Sequence, residues 1–177
     1  MVFDPLSPNH WGRADYWAPE VVFHNGIYYM FYSARWRENN SLRIGVATSE
    51  KPSGPFAEAI GEPLFDFGWV AIDGHVFIDD CGTKYLYFSR DSSENIVSGI
   101  HESHIYVIKL ADDMLSVIGE PTLLTRPEQS WEAPPGNWRW NEGAWVIKHE
   151  GLYYLMYSAN YFASSIFNLI NKNLLTL

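Results

Sequence analysis

The chain has 177 residues, of which 47% are apolar and 19% charged, and this composition excludes a disordered chain and a charge-rich coiled coil. No run approaches the roughly 20 apolar residues that a membrane span needs, and the N-terminus lacks the basic-then-apolar layout of a signal peptide. The net charge of −9 would repel a phosphate backbone, so nucleic acid is not expected as a partner, and the single Cys81 excludes an intrachain disulfide. A soluble, acidic protein is predicted.

Three segments repeat one pattern: a turn glycine, five or six large apolar or aromatic residues, and a serine seven positions after the glycine. A second short apolar run precedes each glycine. Two β-rich runs joined by a short polar turn are typical of a β-hairpin. In chain order, the predicted hairpins are 21–33, 76–89 and 145–158.

Further short apolar runs follow the first two hairpins in the same order. Residues 42–47 and 103–108 match each other and are predicted to form the third strand of their units. Residues 61–65 and 119–123 also match each other and are expected near the fourth strand. A four-strand unit that recurs along a chain is typical of a β-propeller blade. The predicted fold class is therefore all-β, a β-propeller of four-stranded antiparallel blades.

The predicted propeller covers residues 1–163 and is incomplete, because propellers close with about 4–8 blades. The native N-terminus is expected to lie upstream, which leaves the localisation open. The predicted units follow in chain order: the outer strand of a missing blade at 1–8, blades at 9–66 and 67–125, and a half blade at 126–163.

The tail at 164–177 changes character, because it contains no glycine, proline or acidic residue and many Leu, Ile and Asn. Two interpretations are open. The tail forms a short amphipathic helix that covers the edge of the half blade, or it is foreign sequence from a shifted reading frame or a cloning boundary. We favour the second interpretation, because the repeat pattern stops abruptly after Ala163.

Equivalent positions of the three units carry candidate site residues. Trp17, Asp73 and Glu142 each stand nine residues before the turn glycine, near the start of the innermost strand. The starts of innermost strands converge at one mouth of a propeller channel, so these positions are predicted to face one pocket. Two carboxylates in one cleft are the requirement for hydrolysis of a glycosidic bond. Alternatively, each carboxylate caps a turn or pairs with an arginine, but the shared register favours function.

The segments 17–22, 72–80 and 141–145 resemble glycoside hydrolase family 43, whose five-bladed propellers include arabinanases, arabinofuranosidases and β-xylosidases. The resemblance covers about two and a half of the five blades. It implies inverting hydrolysis of α-L-arabinofuranosyl or β-D-xylosyl linkages by three acidic residues, with a carbohydrate as partner. It also implies that Glu142 is the general acid and that Asp73 tunes the pKa of Glu142.

The family's general base has no match in this sequence, because the resemblance assigns it to a blade upstream. Asp4 has the register of an outer strand, and Asp15 lies two residues before Trp17, so neither is assigned as the base. We therefore expect little or no hydrolase activity from the chain alone. The alternative function is a non-catalytic propeller that binds carbohydrate or protein. A retaining transfructosidase-like relative would require a nucleophilic aspartate upstream.

Aromatic and histidine side chains near the predicted mouth are candidates for sugar binding, although packing between blades is the alternative for any one of them. Tyr161 belongs to these candidates, and the expected substrate-binding residues are Trp17, His75, Trp69 and Trp140. The segment 101–104 lacks the helical spacing of a zinc motif, so no metal site is predicted. No cofactor is required, while the resemblance allows a channel metal ion in a full-length family member. Exposed blade edges predict self-association.

Overall fold

The structure, a computed structural model, describes residues 10–161, 163 and 168–174, the last segment as backbone only. The outer strand predicted at 1–8 and the acid at position 4 lie outside the described residues. Within the described part, no helix has the length and apolar character that crossing a membrane requires. The described strands in chain order are β1 (Gly12–His24), β2 (Ile27–Trp36), β3 (Leu42–Ser49), β4 (Ala57–Glu58), β5 (Ile72–Ile78), β6 (Lys84–Arg90), β7 (Ile96–Val97), β8 (Ile100–Glu102), β9 (His104–Leu110), β10 (Val117–Thr125), β11 (Trp138–Arg139), β12 (Asn141–His149), β13 (Leu152–Ala159) and β14 (Asn168–Leu174).

Three sheets among the described residues repeat one antiparallel arrangement. Their strand orders are β1-β2-β3-β4, β5-β6-β9-β10 and β12-β13-β14. Each sheet begins with one of the three predicted hairpins. This arrangement confirms the predicted all-β fold of antiparallel propeller blades, two of them with four described strands and the third with three.

The cores lie between neighbouring blades, and β6 contributes side chains to both of its faces. Leu86 and Phe88 pack in a cluster with residues of the first blade, whereas Tyr87 packs in a cluster with Val146 and Leu155 of the third. Successive side chains of a strand point to opposite faces of its sheet. A strand whose sheet is covered by a neighbouring blade on each face is therefore apolar at every position. This explains why the aromatic runs of the repeat are continuous rather than alternating.

The tail contains a strand, which the sequence analysis did not predict. β14 pairs antiparallel with β13 along its whole length, at the place that β3 occupies beside β2 in the first blade. The helix interpretation is therefore wrong for residues 168–174. The open edge of β13 offers a row of backbone donors and acceptors, and an extended tail satisfies them.

The sequence analysis placed residues 61–65 near the fourth strand of the first blade, and these residues form no regular strand in the structure. The fourth strand is the short β4, and the chain then follows β3 irregularly, with the Leu64 N–H donating to the Ile44 carbonyl at 2.8 Å. Pro63 has no N–H to donate, and Gly61 has a φ of 74°. Both residues interrupt the ladder, and the matching Gly119 and Pro121 likewise lie at a register shift in β10, between Ile118 and Thr122.

A small three-stranded sheet lies outside the blades. β7 and β8 form a hairpin inserted between β6 and β9 of the second blade, and β11 pairs with β8 in parallel. β11 belongs to the connection between the second and third blades. The small sheet therefore fastens that connection to the second blade, and its strands of two or three residues are too short to show a periodic pattern in the sequence.

Candidate active site

A β-bulge interrupts the innermost strand of each blade at the same point. Trp17, Ile72 and Glu142 pair with the serine that ends the repeat pattern of their own blade. The inner strand then advances three residues while its neighbour advances two, which defines a bulge. The residue after each pairing position has a positive φ, which is 44° at Ala18, 57° at Asp73 and 64° at Gly143.

The nine-residue spacing therefore misplaced Asp73 by one position. The pairing makes Ile72, rather than Asp73, the equivalent of Trp17 and Glu142. In the first and third blades, the turn glycine lies nine residues after the pairing position. In the second blade it lies ten residues after that position, because five turn residues separate the paired Ile78 and Lys84. Asp73 occupies the bulge itself. Its positive φ is uncommon for a residue with a side chain and is typical of functional sites.

A cavity of about 290 Å³ opens where the three inner strands begin, close to the lower end of the roughly 300–1,000 Å³ that small-molecule sites occupy. The structure brings four of the six predicted site residues together in its lining. The described residues that line it are Trp17, Ile72, Asp73, Asp91, Trp140, Glu142, Ser158, Asn160 and Tyr161. We call it the acidic cavity.

Glu142 is held by a serine from the second blade. The Ser103 hydroxyl donates to Glu142 Oε1 at 2.6 Å and accepts the Ser92 N–H at 2.9 Å. Burial raises the pKa of Glu142 to about 8, the Ser103 hydrogen bond opposes this, and the charge of Asp73 adds to it. The sequence analysis expected repulsion by Asp73 to raise this pKa. The direction agrees, but burial is the larger cause.

Asp73 is held through its backbone and its carboxylate. The Asp73 N–H donates to Ser33 Oγ at 3.1 Å, and the Gly143 N–H donates to the Asp73 carboxylate. Burial raises the pKa of Asp73 to about 6, with a further contribution from Asp91, while the Gly143 hydrogen bond lowers it. Near pH 7, Asp73 is therefore mostly ionised while Glu142 is mostly protonated. Two acids whose environments separate their pKa values can take different roles in one reaction.

Asp91 is a third carboxylate in the acidic cavity, and the sequence analysis did not select it. Its Oδ1 accepts the Ser93 N–H at 3.0 Å, and its carboxylate forms a hydrogen bond with Glu142. The repeat pattern contained a signal that could have identified Asp91 as a candidate. Asp91 and Asn160 both follow their blade's serine by two residues, and both line the cavity.

Replacing Asp91 with asparagine should lower the pKa of Glu142 from about 8, because a negative charge beside the carboxyl is removed. We expect a downward shift of about one unit or less. Carbon-detected NMR titration of the glutamate carboxyls measures it without any need for activity. Asp113→Asn is the matched control, because Asp113 is exposed and accepts an N–H two residues on, from Leu115 at 2.9 Å. An unchanged titration in Asp91→Asn would contradict the prediction.

His75 joins the inner strands of three blades. Its Nδ1 lies 2.8 Å from Glu20 Oε1 of the first blade, and its Nε2 accepts the Val146 N–H of the third at 3.0 Å. Nδ1 therefore carries the ring hydrogen and donates it to Glu20. The side chain is buried and is not among the described residues that line the acidic cavity. The structure places His75 in the framework below the site, whereas it was predicted to bind substrate.

Replacing His75 with alanine should reduce the free energy of unfolding by about 2–4 kcal/mol, because the Val146 N–H and the Glu20 carboxylate lose a buried partner. Urea unfolding followed by tryptophan fluorescence measures this loss. His149→Ala provides the control, since His149 is exposed at a hairpin end. Equal midpoints for the two variants would show that the three-blade contact contributes no stability.

The predicted aromatic residues divide into two groups. Trp69 packs against Tyr106 and Phe88 at ring-centroid distances of 5.2 and 5.8 Å, and it is not among the described residues of the cavity lining. The structure places Trp69 among the aromatic rings at the edge of the core, so its predicted sugar binding stays a prediction. Trp17, with 46% of its surface exposed, and Trp140 both line the cavity, and Tyr161 lies 5.4 Å from Trp140.

Other polar candidates have structural partners. Asp15, which the sequence analysis declined as a base, forms an ion pair with Arg35. His101 and His104 lie on different strands, where His101 bonds the Ser92 carbonyl and His104 bonds Glu102, both at 2.9 Å. Within the described residues, no group of three or more His, Cys, Asp or Glu could hold a metal ion. We therefore assign no residue to the channel ion that the resemblance allows.

Inner strands that bring a pair of acids to the mouth of a propeller form an arrangement that meets the requirement of glycoside hydrolysis for two carboxyl groups in one cleft. The chain matches the family model of the glycosyl hydrolases family 43 over residues 2–169, and it belongs to that family.

Its relatives agree with this assignment. The chain is 34% identical to a xylosidase/arabinosidase 43A of Humicola insolens over 84% of its own length and 52% of that protein. A crystal structure of a thermostable family-43 glycoside hydrolase is similar with a TM-score of 0.93 and 46% identity, over 99% of this chain and 56% of that one. An endo-1,4-β-xylanase structure from Bacteroides thetaiotaomicron has a TM-score of 0.80 and 33% identity, over 99% and 55%. The chain spans about half the length of these proteins.

Proposed function

We propose that this protein acts as an inverting glycosidase on α-L-arabinofuranosyl or β-D-xylosyl linkages of plant-type poly- or oligosaccharides. The observation that carries the proposal is the acidic pair in one cavity, with the pKa of Glu142 raised to about 8 and that of Asp73 to about 6. Similar proteins named xylosidase/arabinosidase and arabinoxylan arabinofuranohydrolase support the sugar class.

In the proposed reaction, Glu142 is the general acid. Its proton passes to the glycosidic oxygen as the bond from that oxygen to the anomeric carbon breaks, and the leaving alcohol departs neutral. A water attacks the opposite face of the sugar and gives its proton to a general base, so the anomeric configuration inverts. Asp73 keeps its negative charge beside Glu142, which favours the protonated acid and fixes its position.

We propose that the general base comes from outside the three blades described here. The first blade carries Trp17 and Ala18 at the positions equivalent to the pairing residue and the bulge residue, so neither supplies an acid. The chain also spans about half the length of its relatives. An inverting enzyme needs a base about 6.5–9.5 Å from the acid, with room for the water between them. On this proposal, the 177-residue chain alone hydrolyses glycosides slowly or not at all.

Azide tests the proposal with the chain as it is, because an anionic nucleophile needs no general base. We expect 4-nitrophenyl α-L-arabinofuranoside or β-D-xyloside to be stable with the chain alone and to release nitrophenol when azide is added. In this reaction, the anomeric carbon–oxygen bond breaks, a carbon–nitrogen bond forms, and Glu142 supplies the proton of the phenol. Proton NMR should show a glycosyl azide of inverted configuration.

Three outcomes would count against parts of the proposal. A product of retained configuration would contradict inversion. Hydrolysis by the chain without azide, abolished by Glu142→Gln, would contradict the assignment of the base to another part of the propeller. Saccharide binding without azide-dependent release would favour the alternative function, a non-catalytic propeller that binds carbohydrate.

A further inference from the structure

A buried glutamate stands one hydrogen bond away from the strand that carries Glu142. Glu132 ends a single turn of 3-10 helix, Ser130–Glu132, in the connection between the second and third blades, and 1% of its surface is exposed. It is not among the described residues that line the acidic cavity. A buried carboxylate is costly unless its oxygens are hydrogen-bonded, so the partners of Glu132 indicate what it holds in place.

Each oxygen of Glu132 accepts two hydrogen bonds. Oε2 accepts the backbone N–H groups of Glu128 and Gln129 at 2.9 and 2.8 Å. Oε1 accepts Asn141 Nδ2 at 2.9 Å and the Tyr157 hydroxyl at 2.7 Å. Glu132 therefore joins the connection to two neighbouring strands of the third blade, because Asn141 begins β12 and Tyr157 lies in β13.

Both strand partners of Glu132 are next to the pair that contains the acid. Asn141 stands directly before Glu142. Tyr157 stands directly before Ser158, the residue that pairs with Glu142. The bulge interrupts the pairing of β12 with β13 after Glu142, and the pairing resumes only at position 145. The part of β12 that carries the acid is therefore short, and it depends on contacts outside the ladder for its position.

The same helical turn also holds the wall of the acidic cavity. Asn160 Nδ2 donates to the Trp131 carbonyl at 2.9 Å, and the Asn160 N–H donates to the Trp140 carbonyl at 3.1 Å. Asn160 and Trp140 both line the cavity. Residues 131 and 132 therefore hold the cavity wall at one point and the strand of the acid at another.

We infer that Glu132 is a positioning residue for Glu142. Through Asn141 and Tyr157, it fixes the carboxyl group of Glu142 where the proton reaches the glycosidic oxygen. The inference rests on the proposed function in one respect, namely that Glu142 is the general acid. Proton transfer needs the donor within hydrogen-bond reach of the acceptor, and a displacement of about 1 Å costs about 10²-fold in rate. If Glu132 served the fold alone, its loss would slow all reactions of the site alike.

Replacing Glu132 with glutamine tests this role, because an amide group accepts hydrogen bonds at only one of its two polar atoms. At least one pair of donors therefore loses its acceptor. We expect azide-dependent release of 4-nitrophenol to fall about tenfold, because this leaving group needs the proton of Glu142. Release of 2,4-dinitrophenolate, which leaves without a proton, and both KM values should stay within about twofold.

Glu58→Gln is the matched control. The Glu58 carboxylate also accepts a tyrosine hydroxyl, from Tyr32, and lies 2.7 Å from His10 Nε2 in the first blade. This variant should lose stability without changing the ratio of the two release rates. Tyr157→Phe removes one hydroxyl and keeps the other partners of Glu132, and the ratio should change by about two- to threefold. It carries the test should Glu132→Gln fail to fold by circular dichroism.

Amide hydrogen exchange followed by NMR tests the positioning without any reaction. We expect the Asn160 N–H to exchange about tenfold faster in Glu132→Gln, because that N–H bonds the carbonyl next to the released Asn141. The Ala71 N–H, which donates to the Leu42 carbonyl at 3.0 Å between the first and second blades, should exchange at close to its original rate.

Two results would overturn the inference. One is a loss of 4-nitrophenol release that is no larger than the loss of 2,4-dinitrophenolate release. The other is an acceleration of exchange at Asn160 that is no larger than the acceleration at Ala71. Exchange needs no catalysis, so its failure is separable from that of the proposed function. Local acceleration in a chain without azide-dependent cleavage would keep Glu132 as the residue that positions Glu142 and would reject Glu142 as a general acid.

Discussion

Replacing Glu142 with glutamine should reduce azide-dependent cleavage of 4-nitrophenyl glycosides by about 10²–10⁴-fold, the usual contribution of a general acid. Glutamine keeps the size of the side chain and can still accept the Ser103 hydrogen bond, but it has no proton to give. The measurement is the initial rate of nitrophenol release at pH 6.

A change of leaving group separates a catalytic effect from a structural one. 2,4-Dinitrophenolate leaves without protonation, so its glycosides should be cleaved by Glu142→Gln at close to the rate of the unaltered chain. A comparable loss for both leaving groups would mean that Glu142 positions the substrate rather than protonating it.

The same variant should be more stable than the unaltered chain above about pH 6. The folded-state pKa of Glu142 is raised to about 8, above the roughly 4.3 of an unfolded glutamate. The folded chain therefore holds a proton that the unfolded chain releases, and stability falls as the pH rises from about 4.5 to 8. Glutamine removes this pH-dependent loss. Between three and four pKa units correspond to about 5 kcal/mol. We expect the melting temperatures of the two proteins to agree at pH 4.5 and to differ by roughly 10 °C or more at pH 8.

Replacing Asp73 with asparagine should lower the cleavage rate by about 10²-fold at pH 7. The charge beside Glu142 is lost, so the pKa of Glu142 falls and less of the acid is protonated. The alkaline limit of the pH profile should therefore move to lower pH. Rates measured from pH 4 to 9 report both effects, and a lower rate with an unmoved alkaline limit would contradict the pKa-tuning role.

The backbone supplies the control for this variant. Asp73 has a φ of 57°, a conformation that asparagine adopts at lower cost than alanine, although Ala18 adopts a similar φ of 44° at the equivalent bulge of the first blade. Asp73→Asn should therefore melt close to the unaltered chain, whereas Asp73→Ala should lose about 1 kcal/mol through strain. If the asparagine variant were as unstable as the alanine variant, the loss of activity could not be attributed to charge.

The repeats predicted the blades because they record local rules: a glycine at the turn, apolar faces on a strand between two cores, and a serine opposite the bulge. Glu142 was selected as a candidate on this basis, and the structure places it in the acidic cavity. The register of Asp73 was wrong by one residue, because the length of the second turn is not visible when glycines alone are aligned. Asp73 and Glu142 still line the same cavity, because the bulge residue of the second blade and the pairing residue of the third blade both lie where the inner strands begin.

The remaining differences come from contacts that sequence spacing does not contain. Trp69 and Trp140 both stand just upstream of an acid, yet one packs on Phe88 and the other lines the acidic cavity. His75 was expected to face the substrate, but partners on two other blades hold it in the framework. Whether such a side chain faces the cavity or packs in the framework depends on its contacts with neighbouring strands and blades. The residue pattern of one blade contains no information on those contacts.

The bulge divides each inner strand into two independent parts. Beyond it, Val76 and Val146 keep their places in the cores, whatever residue precedes the bulge. Before it, the same position holds tryptophan in one blade, isoleucine in the next and glutamate in the third. Side chains at the mouth can therefore be exchanged without turning the rest of the strand over, so one blade design can be fitted with an aromatic, an aliphatic or an acidic group. A propeller of this kind can change its chemistry blade by blade while its packing stays the same.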